Sequence, residues 1–75
     1  GTQQLNEYIM TSLRTMEGLD LNYVISEFGA EQGHKLQDAS RKYESISKLK
    51  IENDRIILTN EGKLFADGIA AGLFF

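Results

Sequence analysis

Along the first part of the chain the apolar residues recur at helical spacing. Leu5, Ile9, Leu13 and Met16 follow at steps of four, four and three, which places them on one face of a helix. Met10 and Tyr8 flank that face, and Asn6, Glu7, Thr11 and Ser12 supply much of the polar side. The spacing predicts a first helix starting near Thr2 or Asn6, either of which can cap free N–H groups. It runs to Gly18, because glycine accepts the left-handed conformation that ends helices. Asp20 is then placed as an N-cap, with Leu19 before it as part of a hydrophobic staple. Leu21, Val24, Ile25 and Phe28 stand at i, i+3, i+4 and i+7, and Gly29 closes this second helix. At about two turns it needs tertiary contacts to persist.

A third helix is expected to start between Ala30 and Gly33 and to run to about Lys48, burying Leu36, Ala39, Tyr43 and Ile46. Its other face mixes Lys35, Asp38, Arg41, Lys42 and Glu44, the pattern of a solvated surface. The period then changes from helical to alternating. LKIE, the pair Asn53–Asp54 and RIIL predict a β-hairpin over Leu49 to Leu58, since Asn and Asp tolerate the positive φ of a type I′ turn. Counting outward from that turn sets Glu52 against Arg55, Ile51 against Ile56, Lys50 against Ile57 and Leu49 against Leu58. Leu49, Ile51, Ile56 and Leu58 then share one face, and Glu52 is placed to pair with Arg55.

Thr59 caps a fourth helix, with Glu61 in its first turn and Leu64, Phe65, Ile69 and Leu73 as apolar contacts. Gly62, Gly68 and Gly72 weaken this helix, and two explanations stand side by side. One is close packing on the hairpin; the other is close approach of another surface at Gly68, Ala71 and Gly72. The apolar ending LFF either tucks into the core or docks on another part of a larger protein. The fold class is mainly α with a small β-hairpin, an α+β arrangement. Its order of helix, short strand at Leu19–Asp20, helix, helix, hairpin and helix is winged-helix-like.

Seventy-five residues make one domain with a small core, and the absence of cysteine removes disulfides and thiolate metal sites as staples. A net charge of −3 argues against a general nucleic-acid binder, which needs clustered Lys and Arg. No apolar run approaches the roughly 18 residues of a membrane span, and no secretory signal is evident, so a cytoplasmic location is the expectation. The single histidine, His34, reads as a surface residue rather than a metal or haem ligand. Neither a G-x-G-x-x-G, a P-loop nor an H-E-x-x-H is present, which argues against a self-contained active site. Arg14 allows two readings. It offsets the helix C-terminus and pairs with an acid such as Glu17, or it anchors a carboxylate or another protein surface.

MTSLRTMEGLDL, from Met10 to Leu21, resembles the LR…EG-[LIV]-D-[LIV] signature of the C-terminal domain of the radical-SAM oxygen-independent coproporphyrinogen III oxidase family, which includes haem-chaperone relatives. LTNEGKLFADGIAAGLF, from Leu58 to Phe74, is similar to the family's LT-x-x-G-x-x-x-x-D-x-I ending, and the hairpin falls where the family has one. The resemblance covers nearly the whole chain. It implies a longer parent whose N-terminal barrel carries a [4Fe–4S] cluster on C-x-x-x-C-x-x-C and binds S-adenosylmethionine. The implied reaction oxidatively decarboxylates two propionates of coproporphyrinogen III, whereas the chaperone relatives bind haem. With no cysteine here, none of the cluster ligands carries over. Residues 1–75 are therefore expected to be one C-terminal accessory domain with no catalytic, cofactor or metal residues of its own. It would pack beside the barrel of the same chain and help cover the porphyrin site. Arg14, Glu17, Gly18, Asp20, Thr59 and Gly62 match family positions and are the candidates for holding and seating the domain.

A different class of function is a stand-alone winged-helix module that binds DNA or another protein. Its helix order fits, but its charge does not. From Glu31 to Ile46 three cations (Lys35, Arg41, Lys42) face three acids (Glu31, Asp38, Glu44), and the Asn53–Asp54 tip is not basic. Gln32 and Gln37 are a thin supply of donors for base edges.

Overall fold

In the computed structural model, which describes residues 1–75, the first helix, α1 (Thr2–Ser12), is shorter than its pattern suggests. Leu5, Ile9 and Leu13 are buried as expected, but Met16 is 83% exposed. Thr15 supplies the reason. Its hydroxyl donates to the Ser12 carbonyl at 2.7 Å and accepts from the Gly18 N–H at 3.1 Å. These local bonds compete with the helical ladder, so the helix ends at Ser12, well before Gly18. Arg14 consequently lies just beyond the helix rather than in its last turn.

The short strand β1 (Leu19–Asp20) leads into α2 (Leu21–Phe28), then α3 (Ala30–Ser45), the hairpin β2 (Leu49–Glu52) and β3 (Arg55–Leu58), and finally α4 (Asn60–Lys63) and α5 (Ala66–Gly72). The order of elements matches the expectation except at the end, where one helix is divided into two. The three strands form an antiparallel sheet in the order β1-β3-β2. The hairpin register is the one counted from its turn, with Leu49 opposite Leu58 and Glu52 opposite Arg55. Asn53 and Asp54 take φ of 53° and 60°, as a type I′ turn requires. The predicted Glu52–Arg55 ion pair does not form. Arg55 turns to Asp20 on the neighbouring strand at 3.6 Å, and Glu52 lies 3.9 Å from Lys50.

The third helix also stops short, at Ser45 rather than Lys48. Lys48 N–H donates to the Tyr43 carbonyl and Ser47 N–H to that of Glu44, at 2.9 and 3.0 Å, the paired bonds of a Schellman ending. Ile46 thereby leaves the buried stripe and is 57% exposed. Gly33 and Ser40 point inward instead, and the Ser40 hydroxyl is satisfied by the Gln37 carbonyl at 2.7 Å. Ser47 bears the left-handed backbone of this ending, at φ 62°. A side chain there costs more than a glycine does, so Ser47→Gly is expected to stabilise the chain by about 0.5–1 kcal/mol. Thermal unfolding checks this as a rise of roughly 2–8 °C.

Thirteen buried apolar residues form a single core that joins α1, the sheet and α5. The apolar ending is divided: Leu73 enters this core, whereas Phe74 and Phe75 stay part-exposed. Asn6 clamps the last residue, accepting the Phe75 N–H at 2.9 Å and donating to its carbonyl at 3.3 Å.

Candidate functional site

The six signature positions do not gather reacting groups around a pocket. Five of them tie separate stretches of backbone together. Arg14 donates to Asp67 in the first turn of α5, which joins the LR signature to the aspartate of the second motif. Its partner is thus neither Glu17 nor a helix C-terminus. Gly18 has φ +75° and lies against β3, where an added Cβ would overlap the Ile56 carbonyl oxygen and come within 2.9 Å of Ile57 Cγ1. Glycine is required there both for the backbone angle and for the room. Glu17, next to it, is exposed and pairs with no cation.

Asp20 serves three elements at once. Its Oδ1 accepts the N–H groups of Asn22 and Tyr23 at 2.9 and 3.3 Å, capping α2, while Oδ2 faces Arg55 on β3. Its own N–H donates to the Tyr8 hydroxyl of α1 at 3.1 Å. Asp20→Ala is expected to cost about 1–2 kcal/mol in urea unfolding near neutral pH. Asp20→Asn keeps the cap and isolates the Arg55 contribution, expected below about 1 kcal/mol because the pair is part-exposed.

Thr59 and Gly62 act as a unit around one carbonyl, that of Lys48. Thr59 N–H donates to it at 3.0 Å. The Thr59 hydroxyl donates to the Ser47 carbonyl at 2.7 Å and accepts the Gly62 N–H at 3.0 Å, capping α4. Gly62 lies so close to this segment that an added Cβ would overlap the Lys48 oxygen. The close-packing explanation therefore holds for Gly62. At Gly72 an added Cβ would meet Tyr43 Oη, whereas at Gly68 nothing lies within 4 Å.

The role of Asp67 and the break between α4 and α5 carry little signal in the sequence. Asp67 stands in the quoted motif, yet nothing in its spacing names Arg14 as its partner. At the break, Leu64 and Phe65 turn outward instead of joining the core, 80% and 55% exposed. They line an open groove of about 590 Å³ together with Leu58, Lys63 and the Arg14–Asp67 pair. Lys48, which pairs with Glu61, sits 4.8 Å from the centre of the Phe65 ring. His34 is exposed on α3, and no group of three His, Cys, Asp or Glu side chains is arranged to hold a metal. No helix is long and apolar enough to cross a membrane.

Five of the six signature residues thus make contacts within this α+β domain, which also presents a groove with exposed apolar side chains and a cationic edge. The HemN C-terminal domain family matches residues 1–65, from the start of α1 through α4 to Phe65. The chain belongs to that family and is a C-terminal domain of the HemN radical-SAM coproporphyrinogen oxidase type. Searches of curated proteins and of solved structures found no match.

Proposed function

We propose that the chain is the non-catalytic C-terminal domain of a longer, cytoplasmic radical-SAM protein, packed beside the barrel and helping to cover a porphyrin site. The observation that carries this reading is the family match over residues 1–65. The contacts of Arg14, Gly18, Asp20, Thr59 and Gly62 with other segments of the chain support it, because they are the contacts of residues that hold a domain together. The residues of this chain do not fit an iron–sulfur cluster: there is no cysteine, and no alternative ligand set converges. The [4Fe–4S] cluster and S-adenosylmethionine belong, in this proposal, to the barrel. The parent reaction is oxidative decarboxylation of coproporphyrinogen III, or haem binding if the parent is a chaperone.

The cations of α3 favour this over a DNA-binding module. Lys35 lies 3.4 Å from Glu31, Arg41 lies 3.7 Å from Asp38, and Lys42 is over the Tyr43 ring, which leaves few for phosphates. The test is made on the native protein, isolated anaerobically with an antibody to this domain. A mass well above that of the domain, bound iron and cleavage of S-adenosylmethionine are expected. Coproporphyrinogen turnover against stable haem binding then separates oxidase from chaperone. A native chain of this length without iron overturns the proposal.

A further inference from the structure

Of the eight Lys and Arg side chains, Lys63 alone has no partner in the fold. Six are held by carboxylates and Lys42 lies over the Tyr43 ring. Lys63 stands in the last turn of α4, on the edge of the groove and immediately before Leu64 and Phe65. An unpaired cation beside two adjacent exposed apolar side chains is a combination found nowhere else on this surface. Scattered exposed apolar residues are ordinary, but these two share one groove. The groove also has the reverse of the chain's overall charge. Arg14 and Lys63 line it against Asp67 alone, a local balance of +1 in a molecule of net −3. Gly68 on its rim leaves open space where a side chain would stand.

We propose that this groove is the face by which the domain docks on the rest of its parent chain, and that the segment it receives is acidic and amphipathic. Apolar side chains of that segment cover Leu64 and Phe65, and one of its carboxylates binds Lys63. Covering the apolar pair takes water from Lys63 as well, and a cation buried without a counter-charge is strongly disfavoured. A neutral or basic segment leaves that cost standing; an Asp or Glu offsets it. The inference rests on the proposed function for the existence of the parent and adds the docking face and the chemistry of its partner.

A carbodiimide tests this in the native parent protein, because it joins an amine to a carboxylate only when the two are in contact. Mass spectrometry is expected to find Lys63 joined to an Asp or Glu of the same polypeptide outside residues 1–75. Leu64→Ser, at a position exposed in the free domain, should lower the yield of that link about tenfold while leaving the unfolding temperature of the domain unchanged. If Lys63 stays unjoined and is acylated as fast as in the isolated domain, the inference fails. The proposed function still stands in that case, provided the protein is long, iron-loaded and cleaves S-adenosylmethionine. A link from Lys63 to a separate polypeptide, or to a second copy of this chain, also overturns the inference. A short, iron-free native chain overturns the proposed function itself.

Discussion

Gly62→Ala is expected to destabilise the chain by about 3 kcal/mol or more, although it adds a single methyl group. The added carbon would overlap the Lys48 carbonyl oxygen and lie 2.8 Å from the carbonyl carbon, so backbone rather than a flexible side chain has to move. That same carbonyl accepts the Thr59 N–H, and Thr59 in turn caps α4, so the displacement spreads to both elements. A chain of this length has a total stability on the order of 4–11 kcal/mol, of which this loss is a large part. Gly68→Ala is the matched control. Nothing lies within 4 Å of its added carbon, and helix propensity alone should raise stability by up to about 1 kcal/mol. Urea unfolding of the two variants measures the contrast. Equal small effects at both positions would overturn the close-approach explanation for Gly62.

Leu13→Ala should cost about 2–5 kcal/mol, through lost burial and the cavity left behind. Leu13 is completely buried in the core at the C-cap of α1. Thermal unfolding reads this as a fall of roughly 8–40 °C in the midpoint. Met16→Ala, three residues on, is expected to stay within about 0.5 kcal/mol because its side chain is almost wholly in solvent. On the helical spacing of the sequence the two positions are equivalent. The Thr15 turn makes them different, and the pair of measurements tests that turn directly.

Much of this fold is legible in short-range pattern. The hairpin is the clearest case, since a two-residue turn with Asn53 and Asp54 at positive φ leaves one register that buries Leu49, Ile56 and Leu58. Asp20 and Thr59 are equally direct: each lies just before its helix and accepts N–H groups there, a purely local geometry. Helix ends are less legible. Thr15 and Ser47 ended α1 and α3 early, because hydroxyl bonds and a left-handed serine compete with the ladder over fractions of a kcal/mol to about 2 kcal/mol.

The candidate site was legible as residues and not as an arrangement. Arg14 and Gly62 stand out in the motifs, but their partners lie 53 and 14 residues away, at Asp67 and the Lys48 carbonyl. Lys63, Leu64 and Phe65 became a groove edge only when α4 and α5 separated. The family, the α+β class, the hairpin register and the Asp20 and Thr59 caps follow from neighbours within a few positions or from spacing along the chain, whereas α1 begins after Gly1 with no side-chain cap from Thr2 or Asn6. Tertiary structure alone decided which arginine meets which acid, why two glycines admit no side chain, and which apolar residues are left facing out. Those outcomes depend on distances between segments far apart in the chain, and periodicity carries no information about such distances.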